Sequence, residues 1–154
     1  MPGYKGHTIG GLVTFIILSL LLKPPLSFAG TIELALMTCI GALFPDVDIK
    51  SRGQRYFYIA LAALLIFLGL KRRFVLIFFV SLIGMVPLLV HHRGPFHNPK
   101  FLIMLVLFIM VSLHLMQIIG MQKLYWHAVF FLSGALSHLV LDFGCSKFIK
   151  KLLQ

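Results

Sequence analysis

Long apolar runs, broken at intervals by prolines and basic clusters, make up most of the 154-residue chain. The pattern predicts six apolar segments, at about 7–22, 29–45, 56–70, 74–90, 101–120 and 124–143. Lys23-Pro24-Pro25 stops the first, since proline lacks a backbone donor and pushes the residue before it out of the helical region. A helix needs ~20 apolar residues to cross a bilayer. The first and third segments are short by that measure, so four to six true spans are expected. The expected fold is all-α, a polytopic membrane helical bundle of about six hydrophobic helices in one integral membrane domain, 1–154. Short connections make consecutive helices antiparallel neighbours. Glycines such as Gly41, Gly84 and Gly134 fall inside the runs, where small residues let membrane helices approach closely. Lys5 and the first run resemble a signal peptide, but no small-x-small cleavage pattern follows, and the segment is read as a retained helix.

Composition sharpens the class. Hydrophobic residues make up 60% of the chain, with 15 phenylalanines, only 4 acidic residues and a mean hydropathy of +1.01. A soluble protein so composed would expose large apolar patches. The net charge of +10 does not point to nucleic acid, because Lys and Arg sit in short clusters between apolar runs, as in loops facing anionic headgroups. Cys39 and Cys145 belong to no CxxC pair, which argues against a disulfide scaffold or a thiolate zinc site.

Six spans put both termini on one face. That face receives nine basic residues, including Lys50, Arg52, Arg55 and Arg93, against five on the other, including Lys71, Arg72 and Arg73. The positive-inside rule then places both termini in the cytoplasm. Three of the four acids end segments on this same face: Asp46 and Asp48 close the second, and Asp142 closes the sixth. His7 opens the first segment there, and His91, His92 and His97 follow the fourth. Carboxylates at such depth are costly unless paired or bound to a cation. Imidazole with carboxylate suits zinc, manganese or iron. His138 and Asp142 stand at i and i+4, on one helical face. The candidate ligands are His7, Asp46, Asp48, His92, His97, His138 and Asp142, enough for one or two divalent ions, with Zn2+ favoured over Mn2+ or Fe2+. Gly94-Pro95 breaks any helix and turns His92 and His97 toward one point. Glu33 reads as interfacial, His114 as a helix–helix hydrogen-bonding residue, and His127 as part of an aromatic belt with Tyr125 and Trp126.

Gly6-His7, Phe44-Pro45-Asp46-Val47-Asp48, His92-Arg93-Gly94-Pro95-Phe96-His97-Asn98 and Ser137-His138-Leu139-Val140-Leu141-Asp142 fall in order along nearly the whole chain. Together they resemble the motifs of the YdjM-like family of membrane-bound metal-dependent hydrolases. Ile49 stands where many members carry His, and Phe96 and Asn98 replace a Thr and a Ser around the last histidine of the loop motif. The resemblance implies a site in the cytoplasmic (inner) membrane. A proposed kinship of the family to zinc-dependent phospholipases C and single-strand nucleases extends it to phosphodiester hydrolysis, as a fold-level analogy.

The resulting expectation is a metal-dependent hydrolase at the cytoplasmic membrane face, acting on a phosphate ester or a phospholipid-like substrate. Asp46 or Asp48 would serve as general base, while Arg93 and Arg55 would bind phosphate oxygens. The alternative is a membrane metal-binding or cation-transport protein without hydrolase activity. Reporter fusions after Gln154 and within the Lys71–Arg73 loop are expected to report opposite sides of the membrane. The same side from both would overturn the six-span reading.

Overall fold

The computed structural model describes residues 3–25, 27–48, 52–89, 95–115, 117 and 120–153. Those residues are helical, with no strand among them. In chain order the elements are α1 (Tyr4–Leu22), α2 (Phe28–Leu43), a 3-10 helix (Phe44–Asp48), α3 (Arg52–Leu70), α4 (Phe74–Leu89), a second 3-10 helix (Pro95–His97), α5 (Pro99–Leu115), α6 (Met121–Phe143) and α7 (Cys145–Leu153).

The six predicted segments correspond to α1–α6, with shifted ends. α1 begins at Tyr4 and so reaches 19 residues, where the apolar pattern alone left it short. α2 ends at Leu43 and tightens into the 3-10 helix across Pro45, which has no N–H to close an α-turn. α5 stops at Leu115, and Gln117 takes a left-handed conformation beyond it. α7 is an addition: the basic C-terminal stretch is a short amphipathic helix, with Lys151 Nζ 3.9 Å from the centre of the Phe143 ring. Among the described residues, three helices are long and apolar enough to cross a membrane, Tyr4–Leu22, Phe28–Val47 and Met121–Phe143, and Gln54–Leu70 and Pro99–Leu115 are shorter apolar helices.

The described residues form two compact units, Met1–Pro45 with Pro95–Gln154, and Asp46–Gly94. The second is the α3–α4 hairpin. Its turn is a Schellman motif: Arg72 sits at φ 54°, the Arg72 N–H donates to Gly69 and the Arg73 N–H to Leu68. Tyr58 donates from α3 to the Gly84 carbonyl of α4 at 3.2 Å.

In the first unit, α2 and α6 are the central pair. A Cβ on Gly134 would run into the Thr38 carbonyl, and one on Gly41 into the Phe131 carbonyl, so the two backbones touch. Thr38 faces Gly134 and Ala42 faces His138, four residues on along both chains, so the helices run parallel. α1 runs the other way, with Gly10 against Leu141 and Phe15 against Phe130. Leu34, Leu102, Leu124, Phe130, Ala135 and Leu139 fill the interior. Ile9, Val13, Ile16 and Leu20 on α1, and Leu36 and Ile40 on α2, form exposed apolar stripes at helical spacing.

Gly134→Ala should lower the unfolding free energy by more than about 2 kcal/mol, because the methyl group meets a backbone carbonyl and not a pliable side chain. Gly69→Ala, whose Cβ meets only Ile77 at 4.0 Å, should change it by less than about 1 kcal/mol. Thermal unfolding in detergent, followed by circular dichroism, compares the two; equal effects would refute the backbone contact.

Candidate metal centre

Four chain segments deliver the cluster. α6 carries His138 and Asp142 on one face, and their Nε2 and Oδ2 atoms lie 3.6 Å apart. α1 begins beside the end of α6 and brings in His7, whose Nε2 is 3.4 Å from Asp142 Oδ1. The 3-10 turn Pro95–His97 places His97 Nε2 3.9 Å from Asp142 Oδ2. The fourth segment is the 3-10 helix after α2. Its residue Asp46, bonded to Pro45 and half-buried, is grouped with His97, His138 and Asp142: a ligand atom from each falls within 4.8 Å of the rest.

All three histidines are buried, and the Asp142 side chain is only 5% exposed. The rings of His7 and His138 stack at 3.8 Å between centroids, and His97 meets His138 edge-on at 5.7 Å. His138 Nδ1 lies 2.7 Å from the Ala42 carbonyl oxygen. A carbonyl only accepts, so Nδ1 carries the proton and, in the neutral ring, Nε2 presents a lone pair toward Asp142. Ala42 is one of the last four residues of α2, whose carbonyls have no partner within the helix. A hydrogen bond to the far nitrogen of a ring is the arrangement that orients metal-binding histidines.

The donor set fits a divalent ion. Atoms bound at about 2.0–2.1 Å around a tetrahedral ion stand about 3.3 Å apart. The separations of 3.4 and 3.6 Å from Asp142 to His7 and His138 are close to that, and His97 at 3.9 Å is slightly wider. Imidazole nitrogen and carboxylate oxygen are the ligand types of zinc, manganese and iron sites.

The two loop replacements noted in the sequence have structural roles. Phe96 is 1% exposed and packs edge-on against Phe44 and Phe101, which anchors the turn that presents His97. Asn98 caps α5: its Oδ1 accepts from the Lys100 N–H at 3.0 Å, with Pro99 at the first helical position. Apolar packing and a cap thus hold His97 in place.

Of the predicted site residues, the structure gathers His7, His97, His138, Asp142 and Asp46. The Asp48 backbone continues the 3-10 helix. Arg55 is exposed near the start of α3 in the second unit. His91, His92 and Arg93 lie outside the described residues. His114, expected between helices, is instead exposed in the last turn of α5. Glu33 and His127, expected as separate interfacial groups, meet: His127 Nε2 is 3.2 Å from Glu33 Oε2, and Lys123 Nζ is 2.7 Å from the same oxygen. The available signal was position: Glu33 follows the start of one apolar segment, and Lys123 and His127 flank the start of another on the same side. The Ala42 carbonyl left no signal, since any residue carries one.

No curated protein and no solved structure gives a significant match to this chain. The family model described as YdjM inner membrane protein matches residues 1–151, and the chain therefore belongs to the YdjM family of inner membrane proteins.

Proposed function

We propose that the histidine–aspartate cluster holds a divalent metal, zinc in preference to manganese or iron. On this reading the protein is a metal-dependent hydrolase of phosphate esters, lipid or phospholipid-like, at the cytoplasmic face of the inner membrane. The observation that carries the reading is the convergence of three imidazole Nε2 atoms on the two oxygens of one enclosed carboxylate, Asp142. Asp46, His97, His138 and Asp142 are the proposed ligands, and His7 braces Asp142 from its other oxygen.

A divalent ion in this position would supply Lewis acidity toward a phosphate oxygen and toward water. The protein groups then divide the remaining work by exposure. Asp142 is enclosed by imidazoles and suits a ligand. Asp46 is half-buried and sits where it can also hold a proton taken from water. The Ala42 carbonyl keeps the His138 proton on Nδ1, so Nε2 stays available to the cluster. Arg55 and Arg93 are the proposed partners of the substrate phosphate, a role that suits the planar guanidinium fork. Asp48 and His92 complete the proposed set and allow a second ion.

The cation-transport alternative is less well supported. Between this cluster and the far ends of α2 and α6 lie the buried, apolar Leu34 and Phe130 and the close Thr38–Gly134 backbone contact.

Full-length protein purified in detergent should carry at least one zinc per chain by elemental mass spectrometry. His138→Ala and Asp142→Ala should each weaken binding by about tenfold or more. Wild type that is folded and yet binds no divalent metal would end the proposal. Phosphodiesters and phospholipids supplied to the metal-loaded protein should be hydrolysed, and Asp46→Asn should slow turnover by about 10²-fold or more. Metal binding without turnover of any ester, together with ion flux in liposomes, would favour transport.

A further inference from the structure

The far ends of α2 and α6 flank a second polar site, separate from the histidine–aspartate cluster: the rise along α6 from His127 to His138 is about 16 Å. A cavity of about 460 Å³ opens there, lined by Ser27, Glu33, Gln122, Lys123, Trp126 and His127 among others. Lys123 Nζ and His127 Nε2 both approach Glu33 Oε2, at 2.7 and 3.2 Å. His127 Nδ1 lies 2.6 Å from the Lys123 carbonyl oxygen. Both ring nitrogens therefore face acceptors. The Glu33 carboxylate is shared between the Lys123 ammonium and the His127 ring, and all three side chains line the cavity. The N-terminus of α6 adds backbone donors: Gly120 is the cap residue and supplies no side-chain acceptor for the first N–H groups.

A second cavity, of about 220 Å³, adjoins the first. Met37, Val106, Met110, Leu113, Leu124 and Phe131 give it an apolar lining, and His127 lines both cavities. A chamber suited to an anionic group thus meets, across one imidazole, a groove suited to a hydrocarbon chain. Free phosphate would use only the first, and a neutral lipid only the second.

We propose that the paired cavities bind a phospholipid, with its phosphate beside Lys123 and His127 and one acyl chain in the groove formed by α2, α5 and α6. Glu33 is a positioning residue that holds the Lys123 and His127 side chains in place.

Trp126 is the chain's single tryptophan and lines the polar cavity, so its emission reports occupancy. Full-length protein in detergent is titrated with a phospholipid brominated on its acyl chains, with a diacylglycerol bearing the same chains, and with inorganic phosphate. The phospholipid should quench Trp126 saturably, and the diacylglycerol should bind at least about tenfold more weakly, as expected for loss of a charge-assisted contact. Lys123→Gln and His127→Gln should each weaken the phospholipid by about fivefold or more while helicity is kept. Gln122→Glu, an exposed position on the cavity wall, should weaken it by repulsion and keeps the test decisive if the other variants misfold. Equal quenching by diacylglycerol, or unchanged affinity in all variants that fold, would overturn the proposal. So would a saturable response to inorganic phosphate with none to the phospholipid.

Discussion

Contact between the α2 and α6 backbones governs the first unit. Inside a bilayer there is little hydrophobic gain in bringing helices together, so close packing must supply the attraction. Gly41 and Gly134 make that packing possible from opposite sides of one seam, each lying against the other helix's carbonyl groups. The seam also sets the register. With Thr38 opposite Gly134, Ala42 falls opposite His138, and the carbonyl end of one helix meets the imidazole of the other. A slip of one turn, about 5.4 Å, would separate that pair and take Asp142 away from His7 and His97. The cluster is therefore a consequence of helix packing more than of any local loop geometry.

The approaches to the cluster show how a membrane protein positions buried polar groups. His97 is delivered by a three-residue turn held on one side by Phe96 in an aromatic pocket and on the other by the Asn98 cap of α5. Neither device needs further buried polar atoms. The outer faces of α1 and α2 carry the apolar stripes, and mid-helix hydroxyls such as Thr14, Ser112 and Ser133 turn back to carbonyls of their own helices. One result is a polarised molecule: histidines and aspartates gather where α2 and α6 end, and a Glu33–Lys123–His127 cluster lies where they begin.

Much of this was legible in the residues. The runs of apolar positions, bounded by Pro24-Pro25 and by basic clusters, mark α1–α6 to within a few residues. His7, Asp46, His97 and Asp142 stand at segment ends, and an antiparallel order of successive helices is expected to bring those ends together. His138 and Asp142 share a face by helical periodicity alone. The ends of α1 and α5 were less legible, because Tyr4 and Lys5 extend a helix that apolarity does not mark, and the turn at Gln117 ends one that apolarity would continue.

By itself, then, the sequence determined the membrane class, the helices and the segment end at which each candidate ligand stands, because these follow from hydropathy and period along one chain. Only the tertiary structure decided that α2 and α6 touch along parallel backbones, that His7 stacks on His138, that the Ala42 carbonyl sets the His138 tautomer, and that Glu33 meets Lys123 and His127. Those features depend on which face of one helix meets which face of another. That choice is made by shape at the seam and leaves no periodic trace in either helix taken alone.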